Sequence, residues 1–192
     1  MKKNPELHLA AYNGQFEKVE ELLKHGIDAD SRDSDDWTAL HWACQEGHLD
    51  IARLLVENKA DVNAADQEGF TPLDQAVGED HRTLIKYLLE SGADVNSRCW
   101  GNGNGTPLHS ACAYGRSEVV EILLESGADL NARDDDQRTP IFFSVMHGYV
   151  VIVTLLAEKG AELDIADSTG TTLIDLARSN KDENMVHFLM KR

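Results

Sequence analysis

The chain is poor in cations: 18 Lys+Arg stand against 34 Asp+Glu, a formal net charge of −16 at pH 7. Such a surface repels nucleic-acid phosphates and anionic lipid head groups, which argues against nucleic-acid and membrane partners. Cysteine is scarce too. Cys44, Cys99 and Cys112 form no C-x-x-C and cannot all pair, so a disulfide scaffold is excluded and a reducing compartment is expected. No apolar run can span a bilayer, since the longest, over 150–157, is far too short. Lys2 and Lys3 are followed by Asn4, Glu6 and His8, which interrupt any signal-peptide core. Four prolines and 14 glycines in 192 residues exclude low-complexity and collagen-like chains.

What the chain does have is a repeat. Thr38, Thr71, Thr106, Thr139 and Thr172 follow one another at 33, 35, 33 and 33 residues. A second marker keeps the same period: Gly26, Lys59, Gly92, Gly127 and Gly160 are spaced 33, 33, 35 and 33. Both series carry the same two-residue insertion, so they mark one structural unit. Within it, Thr suits a helix N-cap, and Pro72, Pro107 and Pro140 suit the first helical position. Small residues such as Ala43, Ala76 and Ala111 allow close helix approach, and Gly14, Gly47, Gly115 and Gly148 mark a turn. A second helix carries the pairs Leu22-Leu23, Leu54-Leu55, Leu88-Leu89, Leu123-Leu124 and Leu155-Leu156. Ala60–Asn63 and Ala93–Asn96 then lead into a polar hairpin.

Thr106-Pro107-Leu108-His109-Ser110-Ala111 matches the T-P-L-H-x-A signature, and the period agrees. The chain resembles an ankyrin-repeat protein over nearly its whole length. The resemblance implies an all-α repeat solenoid, stacked helix-turn-helix units with β-hairpin fingers. A single domain over 1–192 is expected, with repeats at 1–33 (N-terminal cap), 34–66, 67–99, 100–134, 135–167 and 168–192 (C-terminal cap). Single repeats cannot bury their apolar face, so stacking supplies the core. Polar residues such as Lys18, Glu21, Lys181 and Glu183 suggest that both ends are capped, with no room for a second domain.

Departures from the pattern mark where individuality lies. The stretch 100–105 is two residues longer than its counterparts and carries Trp100. Asp80 replaces the interhelix glycine and Asp74 the usual histidine, so the third repeat is expected to be a weak joint. Asp36 and Gln137 stand where Gly69 and Gly170 occupy the finger turn, which predicts modest local strain or a different turn.

Chemistry is mostly declined. The resemblance implies that His8, His41 and His109 are structural, near the finger base. No H-x-x-x-H spacing, nucleophile elbow or P-loop occurs, and the finger aspartates lack a calcium-loop pattern. No metal, cofactor or enzymatic activity is therefore expected. Cys44 and Cys112 read as packed, as do Trp42 and Phe143. Cys99 falls in a slot otherwise held by Asp33, Asp66, Asp134 and Asp167, which makes it the expected exposed thiol. Asn63, Asn96 and Asn131 match a family position that is hydroxylated in some animal proteins, and read structurally they maintain the fold.

The resemblance implies a non-enzymatic protein-interaction module with a concave face of fingers and first helices. Phase places Asp35, Trp37, Glu68, Phe70, Trp100, Asn102, Asp135 and Arg138 on its fingers. The first helices contribute Tyr12, Gln45, Glu46, Glu79, Tyr114, Met146 and His147. Aromatics ringed by charge are typical anchors of an interface. The expected partner is a protein with a basic or mixed patch, bound by a protein that is monomeric when free. The expected location is the cytoplasm, or also the nucleus of a eukaryote. An inhibitor or immunity-type role suits a small acidic chain, and a eukaryotic adapter or scaffold is the alternative.

Overall fold

A computed structural model of the chain describes residues 5–99 and 103–191. It divides into two compact units, Met1–Gly101 and Asn102–Arg192. The first contains α1 (Pro5–Tyr12), α2 (Phe16–Lys24), α3 (Ala39–Gln45), α4 (Leu49–Glu57), α5 (Pro72–Gly78) and α6 (Arg82–Glu90). The second contains α7 (Pro107–Ala113), α8 (Ser117–Glu125), α9 (Pro140–Met146), α10 (Val150–Glu158), α11 (Leu173–Ser179) and α12 (Glu183–Met190). In the first unit α3 packs between α1 and α5, and α4 between α2 and α6. In the second, α9 packs between α7 and α11, and α10 against α8. Each unit is therefore a stack of helix pairs, the all-helical repeat architecture expected from the period.

The repeat period sets the core register. One leucine of each second-helix pair is buried: Leu22, Leu55, Leu88, Leu123 and Leu156. Its neighbour in the pair is half-buried. Each such burial is worth roughly 1.5–3 kcal/mol. Ala43, Ala76 and Ala111 are completely buried, as close packing of the short first helices requires.

The fingers differ from the expected β-hairpins. Among the described residues their arms meet through isolated bridges, such as Arg32 to Thr38 and Ala166 to Thr172, and through single backbone hydrogen bonds, such as Asp66 N–H to the Phe70 carbonyl at 2.9 Å. An aspartate side chain also organises the tips of the first, second, fourth and fifth fingers. Asp33 Oδ1 accepts from the backbone N–H of Asp35 and Trp37, both at 3.0 Å. Asp66 Oδ1 accepts likewise from Glu68 and Phe70, both at 2.9 Å. This is the local side-chain capping that Asp does well in turns. Asp36 and Gln137 keep the turn of the glycines they replace, in the left-handed region that a side chain disfavours, with φ of 66° and 63°, and Asp80 does the same between its helices with φ of 64°.

Two kinds of side chain bolt neighbouring repeats together. The first starts at the helix cap. His41 Nδ1 accepts from the Thr38 N–H at 3.1 Å, which leaves the proton on Nε2, 3.1 Å from the Phe70 carbonyl of the next finger. His109 does the same between Thr106 N–H (3.0 Å) and the Arg138 carbonyl (3.1 Å). The second bolt points backwards. His48 and His81 place Nε2 at 3.1 and 2.9 Å from the carbonyls of Tyr12 and Gln45. Asn63 adds a link at the finger base, accepting from Asp94 N–H at 2.7 Å and donating to the Gly92 carbonyl at 3.0 Å.

Asp74 stands in the histidine slot of the third repeat. Its Oδ2 accepts from Thr71 N–H (2.9 Å) and Oγ1–H (2.8 Å), so the cap survives. An ionised carboxylate has no proton to donate forward. Burial pushes its pKa up to about 6, whereas burial pushes that of His41 down to about 4.

These shifts have opposite signs in stability. Unfolded, His41 takes its proton near 6.5; its contribution is complete above that pH and is lost as pH falls towards 4. Unfolded, Asp74 titrates near 3.8; its contribution is present below that pH and is lost as pH rises through about 6. Asp74→Asn removes the second effect and leaves the first. Urea unfolding of the variant should strengthen more steeply with pH across this window than that of the wild type. At neutral pH its advantage should be on the order of 1–3 kcal/mol. Parallel pH profiles would contradict this reading.

The interhelix glycines make a second prediction. A Cβ on Gly47, at φ 75°, would lie 2.7 Å from the His81 ring, whereas one on Gly26, at φ 82°, meets nothing within 4 Å. Gly26→Ala should cost about 1 kcal/mol, the backbone term alone. Gly47→Ala must also displace the His81 bolt and should cost at least about twice that. Equal losses in urea melts would show that the ring packing is dispensable.

Candidate functional site

In the first unit three aromatic rings meet. Trp37 lies 4.5 Å from Trp42, centroid to centroid, and Tyr12 stands edge-on to Trp42 at 5.5 Å and 86°. Trp37 also packs at 5.7 Å on the bolting His41. The two indoles are held by finger carboxylates: Trp42 Nε1–H donates to Asp33 Oδ2 at 2.8 Å, and Trp37 Nε1–H to Asp66 Oδ2 at 2.9 Å. Tyr12 is 44% exposed and Leu9 61%, and both indoles are half-buried. Pro5, His8, Leu9, Tyr12, Asp33 and Trp42 line an open, largely apolar groove of about 470 Å³.

The other expected positions of this unit lie around that cluster or carry the fold. Phe70 is half-buried and forms no ring pair among the described residues; its carbonyl takes the His41 proton. Asp35, Glu46, Glu68 and Glu79 are exposed. Gln45 is half-buried, and its carbonyl anchors His81.

In the second unit Tyr114 is 57% exposed, Asp135 and His147 are exposed, and Met146 is half-buried. Asp135 is tied to the preceding finger, accepting from Asn104 Nδ2 at 3.2 Å. Arg138 folds back: Nε donates to Asp134 Oδ2 at 2.8 Å, Nη2 lies 3.0 Å from Asp136, and the guanidinium sits 4.9 Å above the Phe143 ring. Trp100 and Asn102 lie outside the described residues.

Two sequence expectations change here. Trp42 and Phe143, expected to be packed, are half-buried and stand next to the candidate positions. Their shared signal is the slot directly after the histidine position: Leu9, Trp42, Gln75, Ser110, Phe143 and Leu176. Read down the repeats, that column would have found Leu9 and Trp42. Cys99 is the other correction. It is only 2% exposed, with Sγ 3.8 Å from the Glu68 carbonyl. The slot turns inward because its aspartates cap their own finger tips, and a cysteine there follows the same direction.

Burial pushes the Cys112 thiol up to about 12 and the Cys44 thiol higher still. Among the described residues, no group of three or more His, Cys, Asp or Glu is arranged to hold a metal ion. No described helix is long and apolar enough to cross a membrane. What the arrangement can do is present aromatic and apolar surface beside fixed carboxylates.

A family model described as ankyrin repeats (3 copies) matches residues 7–99, 100–134 and 108–192. A comparison with curated proteins finds no match.

Burial of all three thiols predicts slow chemistry. In native protein Cys44, Cys99 and Cys112 should react with Ellman's reagent at least about tenfold more slowly than in urea. A fast first equivalent assigned to Cys99 by peptide mapping would contradict the buried placement.

Proposed function

The chain belongs to the ankyrin-repeat family, whose members are typically non-enzymatic protein-interaction modules, and we propose that it binds a protein partner on the face of fingers and first helices. One observation carries the reading. Leu9 and Tyr12 are exposed around the half-buried Trp42, in an open groove that the fold itself does not fill. Core formation gives no reason for an exposed tyrosine and leucine beside two indoles. An interface does, because aromatic anchors in a water-excluding surround dominate binding energy.

The finger carboxylates complete the surface. Asp33, Asp35, Asp66 and Glu68 lie on the fingers of the same unit, and the net charge of −16 extends the field beyond them. A partner with a basic or mixed patch would be steered to this face, and its association would weaken with salt. Tyr114 and His147 offer a comparable exposed surface in the second unit. The functional reading is thus recognition without catalysis.

The test uses tagged full-length protein from its native source, with co-purifying proteins identified by mass spectrometry. Tyr12→Ala combined with Tyr114→Ala removes two exposed rings and should leave the fold intact. Partner affinity should fall at least about tenfold in this variant, and should fall again between low and high salt. Unchanged affinity in the folded double variant would move the binding surface to the second helices.

A further inference from the structure

The groove in the first unit has a counterpart within the same chain. In the fourth finger, Asp134 begins the turn and accepts from the Arg138 N–H at 2.8 Å; in the first, Asp33 begins it and accepts from the Trp37 N–H at 3.0 Å. Phe143 and Trp42 occupy the same helix slot, directly after the histidine position. The fourth finger therefore pairs a carboxylate with an aromatic ring, and Arg138 fills the space between: guanidinium on Asp134, and over Phe143 at 4.9 Å. The first finger has the same carboxylate and a larger ring, but Trp37 where the arginine would be.

No lysine or arginine lines the first groove among the described residues, and its one basic group, His8, turns its Nε2 to the Ser31 carbonyl at 2.8 Å. Arg32 is engaged with Asp36 and the Ala65 carbonyl, and Lys18 and Lys24 pair with Glu21 and Glu20. Asp33 has no ion pair among the described residues. It accepts three hydrogen bonds, from Asp35 N–H, Trp37 N–H and Trp42 Nε1–H. A carboxylate offers about four acceptor sites, so one remains, on a group already fixed in place. Beside it stand Tyr12 and Trp42, perpendicular and 5.5 Å apart, with Leu9 on the wall.

Resting on the proposed interaction role, we infer that this groove receives an arginine side chain of the protein partner. The arginine stem lies along Leu9 and Tyr12, and its guanidinium meets Asp33 and the face of an aromatic ring, as Arg138 does within the chain. Aromatic faces attract cations within about 6 Å, and arginine more often than lysine. The carboxylate supplies the charge, and the apolar walls exclude water from the contact.

The probe is a blocked pentapeptide, Gly-Ser-Arg-Ser-Gly, and its citrulline counterpart, which keeps the shape and loses the charge. Both are titrated into the full chain while the Trp42 indole N–H is followed by NMR. That proton donates to Asp33 and so reports on its carboxylate. The arginine peptide should shift it saturably, with the citrulline peptide binding at least about fivefold more weakly. Tyr12→Leu, at an exposed position, should weaken the arginine peptide by a similar factor. Trp37→Arg should abolish the response, because it supplies the guanidinium from within.

Equal shifts by the two peptides would overturn the inference and make the occupant a neutral side chain. A response that survives both Tyr12→Leu and Trp37→Arg would place the peptide elsewhere on the acidic surface and overturn it too. Either result leaves the interaction role standing if partner binding is still lost in Tyr12→Ala with Tyr114→Ala. Intact partner binding in that variant removes the underlying reading instead.

Discussion

A proton held on one nitrogen of a buried imidazole joins neighbouring repeats at His41 and again at His109. His41 accepts at Nδ1 from the cap of its own helix and faces the Phe70 carbonyl of the next finger with Nε2. The ring can do both only in one neutral tautomer. Burial enforces that state by driving the pKa down to about 4. A short helix of seven residues, too short to hold itself, thus gains its cap and its neighbour from one side chain.

The candidate binding face follows from this arrangement. Threonine, histidine and finger aspartate direct their polar groups inward, into caps, bolts and turns. What remains free to vary is the slot after the histidine and the outer residues of the fingers. In the first unit those positions hold Leu9, Trp42 and Trp37, with Tyr12 one turn further along α1. In the fourth finger the same positions hold Phe143 and Arg138, and the arginine occupies the site itself. One framework thus presents an open aromatic groove in the first unit and a cation–ring pair at the fourth finger.

The framework was legible in the sequence because it is periodic. The threonine caps, the interhelix glycines and the unusual finger turns at Asp36 and Gln137 follow from phase, and the structural histidines from the resemblance to the family. The site was less legible because it depends on where side chains go between repeats. Phase marked Trp37 for exposure, yet its ring folds onto Trp42 and its N–H reaches Asp66, 29 residues away. Trp42 read as core because it sits inside a helix, although the helix is too thin to cover an indole. Cys99 read as exposed from the charge of its counterparts, whereas those aspartates point back into their own fingers. Each of these differences is tertiary, set by a neighbouring repeat that no single window contains.

The most direct measurement is the tautomer of His41, read from long-range proton–nitrogen correlations of the imidazole rings in labelled protein. The account requires a neutral ring with its proton on Nε2 that stays neutral well below 6.5, towards about 4, for as long as the protein is folded. A ring protonated on Nδ1, or one titrating near 6.5 in the folded protein, would contradict it. The bolt between repeats would then have to be found elsewhere.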